Sequence, residues 1–265
     1  MMTKKSKILT ISLAIFAVIV FFVVLSSTIF SVQKINVLWL TETKNLSTIT
    51  SEQIIEDSGI KKGTNVFFVS KNQAMSNLEK KYPYIEVINI ETIFPNTLNI
   101  HARERQEVFA LKQNEKYYIV DSSFKILKIW TSFNENSKET PILINGDFQI
   151  TQSEGEFADI PQSASAFKIL ETSFYQNCSD DETKYNLSRM KALIKSATFN
   201  ESKIILQTFY GVKIEIYTPT QYQQKKVALA EKCLSSLTEV QKTTGTILVG
   251  LNKEQKIQAS YTTRV

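Results

Sequence analysis

The sequence predicts an α+β protein: a single N-terminal transmembrane helix, a small β-α-α-β-β unit, and a larger mixed α/β region that closes in a C-terminal hairpin. Three observations carry this. No Lys, Arg, Asp or Glu occurs from Ile8 to Gln33. Strand and helix periodicities follow one another in the order β-α-α-β-β from Val32 to Arg105, and after Arg105 short strands dominate with helical stretches between them. With 265 residues, 43% hydrophobic and 22% charged, the chain has the means to bury a core and lies outside disordered compositions.

The charge-free stretch exceeds the roughly 20 residues that a bilayer-spanning helix needs. Lys4, Lys5 and Lys7 precede it and only Lys34 follows closely, so the positive-inside rule puts the N-terminus in the cytoplasm and the remainder outside. A cleaved signal peptide is the competing reading, but its apolar region spans about 7–15 residues and no Ala-x-Ala-like site follows here. The expected division is a tail over 1–7, a membrane helix over 8–31, a first domain over 32–105 and a second over 106–265. Once the three leading lysines are set aside, the rest is nearly neutral. The isoelectric point near 9.0 is therefore weak evidence for nucleic acid, which asks for a clustered basic face. The pairs Lys61-Lys62, Lys80-Lys81 and Lys225-Lys226 read as solvated surface.

In the first domain, Val32 to Leu40 is rich in β-branched residues and reads as a strand. Thr50 and Gln53 have capping-box spacing ahead of Ile54 and Ile55, and Gly59 is placed as a stop, which predicts a helix over Ser51 to Ser58. Met75, Leu78 and Tyr82 share one helical face over Asn72 to Lys81, and Pro83 ends that pattern. Ile85, Val87 and Asn89 then alternate with Glu86, Ile88 and Ile90. Phe94-Pro95-Asn96-Thr97 makes a turn, and Leu98, Ile100 and Ala102 alternate with Asn99, His101 and Arg103. The two helices are expected on one face of a three-stranded sheet. His101 shares the outward face with Arg103 and reads as a surface histidine.

In the second domain, strands are expected at Val108 to Lys112, Tyr117 to Val120, Lys125 to Trp130 and Pro141 to Ile144. Ala164, Phe167, Leu170 and Phe174 have helical spacing, as do Leu187, Met190, Leu193, Ile194 and Ala197. Lys203 to Gln207 and Val212 to Tyr217 form a hairpin around Tyr210-Gly211. A helix follows from Gln221 to Val240, and Thr246 to Leu251 pairs with Ile257 to Tyr261. Cys233 sits at helical spacing among Leu229, Leu234 and Leu237 and reads as a small core residue; a bridge to Cys178 stays open.

A set of linked motifs in the first domain resembles the POTRA domain of the FtsQ/DivIB family of bacterial division proteins. The residues are Ile35 to Val37, Ile54-Ile55 before Ser58-Gly59-Ile60, Gly63-x-Asn65-Val66-Phe67, Leu78, Tyr82-Pro83-Tyr84-Ile85, Phe94-Pro95-Asn96-Thr97-Leu98 and Glu104-Arg105. The resemblance implies a cytoplasmic tail, one membrane helix, a POTRA domain and a following β-domain, located in the inner membrane at the division septum. Departures occur. Trp39 stands where the family commonly has Gly, the loop from Thr41 to Ser47 is longer, Glu107 replaces a common Pro, and Phe124 replaces the Gly of an Asp-x-x-Gly turn.

Enzyme chemistry finds no anchor. No nucleophile elbow, phosphate loop, dinucleotide turn or His-Glu-x-x-His helix is present, and one His with two Cys does not furnish an ordinary zinc site. Asp180-Asp181-Glu182 precedes a helical pattern and reads as capping. No catalytic residue, cofactor or metal is expected, nor a nucleic acid or small-molecule substrate. The resemblance implies docking of FtsB/DivIC-like and FtsL-like membrane proteins on the last strands. Mapped onto this chain, that is Lys256, Ile257, Gln258, Ala259, Ser260 and Tyr261, with Leu248 and Val249 on the strand beside them. An unpaired edge strand supplies the mechanism. The competing readings are a solvated terminal hairpin at this site and, for the whole protein, a polypeptide-binding POTRA chaperone or a cell-wall hydrolase.

Overall fold

The helix breaks and turn residues read from the sequence set most element boundaries in the computed structural model. It describes residues 13, 15–18, 20, 28–42, 45–160, 192–199, 202–219 and 221–263. The chain divides into two units, Met1–Arg105 and Gln106–Val265.

In the first unit, β1 (Lys34–Trp39) runs parallel to β3 (Thr97–Glu104), and β2 (Ile85–Ile93) runs antiparallel to β3, giving the order β1-β3-β2. Helix α1 (Ser51–Asp57) starts at Thr50, where the reciprocal Thr50/Gln53 capping box satisfies two otherwise orphaned backbone donors. Helix α2 (Lys71–Lys81) ends at Tyr82, just before Pro83. Both helices bury their apolar faces in one cluster with the sheet, through Ile54, Ala74 and Leu78 against Ile85, Leu98 and Ile100.

The strict alternation expected for β2 is interrupted. A bulge between Val87 and Asn89 inserts one residue, so Ile88 and Asn89 are exposed and Ile90 is buried. Glu104 and Arg105 close the unit from its end. The Glu104 carboxylate accepts from the Asn45 backbone N–H at 3.0 Å and from its side chain at 2.6 Å, holding Asn45 at the end of β3. Buried Arg105 pairs with Glu79 of α2 at 3.1 Å.

The transmembrane helix expected over residues 8–31 is corrected. Among the described residues no helix is long and apolar enough to cross a membrane. Absence of charge marks a segment as apolar, whereas spanning also requires a long continuous helix. The end of the stretch belongs instead to the first unit. The Val66 N–H donates to the Phe30 carbonyl, the Val32 N–H donates to that of Thr64, and Val32 is fully buried. The architecture is sheet-rich.

The second unit is built on nine strands: β4 (Phe109–Gln113), β5 (Lys116–Val120), β6 (Ile126–Trp130), β7 (Ile142–Asn145), β8 (Ile194–Phe199), β9 (Lys203–Thr208), β10 (Lys213–Tyr217), β11 (Thr246–Leu251) and β12 (Ile257–Thr262). They form one sheet in the order β12-β11-β10-β9-β8-β7-β4-β5-β6. Helix α3 (Gln223–Ser236) packs Val227, Ala230 and Leu234 into the core under β10, β11 and β12. The long helix expected over Gln221 to Val240 is two. Leu237 is extended, and Thr238 and Gln241 make a second capping box that starts α4 (Glu239–Lys242).

A second correction concerns Ile194 and Ala197. Among the described residues, 192 and 193 are helical, while Ile194 and Ala197 lie in β8, both buried. A register shift between Ile194 and Ser196 puts residues three apart on one face, imitating helical spacing. The helix expected from Ala164 to Phe174, together with Leu187, Met190, Cys178 and Asp180 to Glu182, lies outside the described residues.

The turn that lacks its family glycine survives with a phenylalanine. Phe124 has φ +62°, is buried and stacks on Phe109 at 5.6 Å, while the Asp121 carboxylate accepts from the N–H groups of Ser123 and Lys125. Ring burial offsets the cost of left-handed backbone.

Two predictions follow from these contacts. Gly211 has φ +117°, and an added Cβ would meet the Thr243 carbonyl, so Gly211→Ala is expected to cost about 2–3 kcal/mol in denaturant unfolding. In the first unit, burial and the hydrogen bond to Asp57 push Tyr82 up to about 12. Between pH 10 and about 12 the unfolded chain has lost this proton and the folded chain keeps it, so stability falls as pH rises through that window. Tyr82→Phe is expected to flatten that part of the stability-against-pH curve, measured by thermal unfolding.

Candidate functional site

A nine-stranded open sheet has two edges, and the chain treats them differently. At the β6 edge, residues 153–158 run alongside as a strap. The Ile126 N–H donates to the Glu156 carbonyl at 2.8 Å, the Gly155 N–H donates to the Ile126 carbonyl at 2.8 Å, and the Glu154 carboxylate accepts from the Ile129 N–H at 2.8 Å. Backbone groups that an added strand would use are occupied.

At the other edge, among the described residues, nothing pairs with the outer side of β12. Its orientation follows from two hydrogen bonds. The Asn252 N–H donates to the Lys256 carbonyl at 2.9 Å, closing the β11–β12 turn, and the Lys213 N–H donates to the Gly245 carbonyl at 3.0 Å. Antiparallel bonding alternates along the pair, so Gln258, Ser260 and Thr262 bond inward to Gly250, Leu248 and Thr246. Ile257, Ala259 and Tyr261 therefore present their N–H and C=O groups to the open side.

The same three residues turn their side chains toward the core cluster and lie half-buried, whereas Gln258 and Ser260 are exposed on the opposite face. Leu248 lies half-buried on that opposite face beside Ser260. Val249 is fully buried beneath β12 and reaches no surface. Tyr261 donates its hydroxyl to the Thr244 carbonyl at 3.1 Å. Gly245, at φ +82°, leaves room for that ring and for the Thr262 carbonyl, which a Cβ would meet at 2.6 Å. An open cleft beside the turn is lined by Tyr222, Lys225, Leu229, Lys256 and Ile257. Lys256 makes a surface pair with Glu254 at 3.0 Å.

Behind the edge stands a residue that sequence reasoning misplaced. Lys225 is exposed as expected, but Lys226 is fully buried. Its ammonium donates to the carbonyls of Tyr217 and Thr218 at 2.7 and 2.8 Å and to the Thr218 hydroxyl at 2.8 Å, while burial pulls its pKa down. These bonds tie the start of α3 to the end of β10, where Thr218 and Tyr222 have left-handed backbone. A helix N-terminus repels cations, so the oxygen cage explains the charge there. The one signal in sequence is the period: Lys226 sits beside Val227 and four residues before Ala230, on the buried face.

Elsewhere, His101 lies 3.2 Å from Glu91, and Arg103 pairs with Glu86 at 2.6 Å. Cys233 is a free, half-buried thiol in α3, and burial pushes its pKa up. No group of three or more His, Cys, Asp or Glu residues able to hold a metal occurs among the described residues.

The three-stranded first unit with its two helices has the β-α-α-β-β order of a POTRA domain. Residues 42–105 match the family model for the POTRA domain, FtsQ-type. The chain is 40% identical over 81 residues to the cell division protein DivIB of Clostridium acetobutylicum, covering 31% of this chain and 32% of that one. It is 30% identical over 89 residues to DivIB of Clostridium tetani, covering 34% and 33%. With DivIB of Geobacillus kaustophilus it is 29% identical over 123 residues, covering 43% of each. The matches thus span about a third to two-fifths of these relatives' length. Residues 42–105 are thus similar to FtsQ-type POTRA domains, and the chain is similar over part of its length to DivIB cell division proteins.

Removing the Lys226 ammonium leaves two carbonyls without their donor. Lys226→Met is expected to lower stability by about 1–3 kcal/mol, read from thermal unfolding.

Proposed function

We propose that this chain is a non-enzymatic division scaffold. Its β12 edge accepts an added strand from FtsB/DivIC-like and FtsL-like partners at the septum, and through them it helps regulate septal peptidoglycan synthesis. The observation that carries this reading is the asymmetry of the sheet among the described residues: a strap occupies the β6 edge, and the β12 edge is open. Strand addition draws affinity from main-chain hydrogen bonds and specificity from the side chains that flank them. Here Ile257, Ala259 and Tyr261 offer the backbone, Gln258 and Ser260 offer exposed side chains, and Lys256 with the adjacent cleft adds charge and an apolar wall. Leu248 supports the exposed face. The match of residues 42–105 to the FtsQ-type POTRA domain and the similarity to DivIB proteins support a place in the division machinery.

The orientation of β12 dictates the test. Proline at 259 removes an outward donor and leaves the β11–β12 ladder intact, whereas proline at 258 removes an inward one. Ala259→Pro is expected to keep the wild-type melting temperature within a few degrees and to weaken capture of the FtsB/DivIC-like partner at least tenfold. Gln258→Pro is expected to destabilise the second unit. Wild-type affinity in Ala259→Pro, or no capture of either partner by the wild-type chain, overturns the reading.

A further inference from the structure

The first unit carries an exposed aromatic tip at the margin of its core, where Phe30 is partly buried. A 3₁₀ turn at Val66–Phe68, capped by the Asn65 side chain, buries Val66 and throws the next two rings outward. Phe67, Phe68 and Phe94 are 62%, 82% and 60% exposed. Phe30, Phe67 and Phe94 form one patch, with ring centroids 5.3, 5.6 and 6.3 Å apart. Leaving such a patch in water is unfavourable, and a contiguous one marks an interaction site.

Two features of the surroundings select the occupant. Exposed Lys61 and Lys62 stand in the loop leading into the turn, and Lys71 borders the same groove as Phe67 and Phe94. From Ser58 to Ser70 there is no Asp or Glu. Asp57 pairs with Lys81 at 2.5 Å, and Glu91, on the wall of the groove, lies 3.2 Å from His101. The second feature is continuity, since Phe30 belongs to the charge-free stretch from Ile8 to Gln33 and packs directly on Phe67. Apolar rings ringed by lysines match the boundary between anionic headgroups and acyl chains.

We propose that this tip, Phe30, Phe67, Phe68 and Phe94 with Lys61, Lys62 and Lys71, seats on the surface of an anionic lipid bilayer. The contact is interfacial: rings enter the headgroup region while the lysines neutralise phosphates. It orients the first unit on the surface and is independent of the partner-binding reading for β12.

The test uses the full chain with Cys178→Ala and Cys233→Ala, a single new cysteine at Ser70→Cys, and an environment-sensitive fluorophore on it. Ser70 is exposed and makes no side-chain cap bond, so all four rings stay in place. On vesicles of phosphatidylcholine with about a quarter phosphatidylglycerol, the label is expected to shift to shorter wavelength and to be quenched by brominated lipid. Both signals are expected to fall several-fold in about 0.5 M NaCl and on pure phosphatidylcholine. Phe67→Ser with Phe68→Ser is expected to abolish them, and Lys62→Glu with Lys71→Glu to reduce them, while a label at Gln258→Cys stays in water throughout. If vesicle-bound protein leaves the Ser70→Cys label as wet as the Gln258→Cys label, or if the charge reversals and the double serine variant change nothing, the proposal fails.

Discussion

A β-strand must place its backbone donors and acceptors somewhere, and much of the second unit can be understood from that requirement. Nine strands supply each other's partners through the interior of the sheet, leaving two rows at the edges. One row is occupied by residues 153–158, including a carboxylate that stands in for a carbonyl at Ile129. The other, along β12, is left to the solvent or to a partner. That contrast within one sheet gives the C-terminal hairpin its meaning.

Holding an edge strand in one place needs support from behind. Helix α3 provides it, and Lys226 fixes where α3 begins. A lysine at the start of a helix and out of water is costly on two counts, and the oxygens of Tyr217 and Thr218 offset both. The first unit uses the same device differently. Buried Arg105 reaches Glu79 on α2, and Glu104 holds Asn45, so the last residues of β3 and the boundary fasten both a helix and Asn45. In both units a charged group at the end of an element secures the next.

Apolar exposure is unevenly placed as well. The first unit's core is closed by Ile54, Leu78 and the sheet, yet its 3₁₀ turn displays two phenylalanines beside Phe94. Packing does not require these rings, because Val66 alone fills the core position of that turn. Their presence among lysines gives the unit a surface with its own chemistry, separate from the hydrogen-bonding edge of β12.

The order of elements in the first unit, the Thr50 cap, the end of α2 before Pro83 and the closing β11–β12 hairpin were all legible, because period and turn chemistry are local. The likeness to FtsQ-type POTRA domains was legible too, from linked motifs between Ile35 and Arg105. What misled was also local. Bulges at Val87/Asn89 and Ile194/Ser196 changed parity within a strand, and an uncharged run read as a membrane-crossing helix where the described residues show no helix of that length. Lys226 read as solvated because its oxygen partners, eight and nine residues away, meet it only through the fold. The sequence by itself determined the local conformations, since these depend on neighbours a few residues apart. Tertiary structure alone decided which edge is strapped and which is open, because an edge is defined by strands distant in the chain and by what lies beside them.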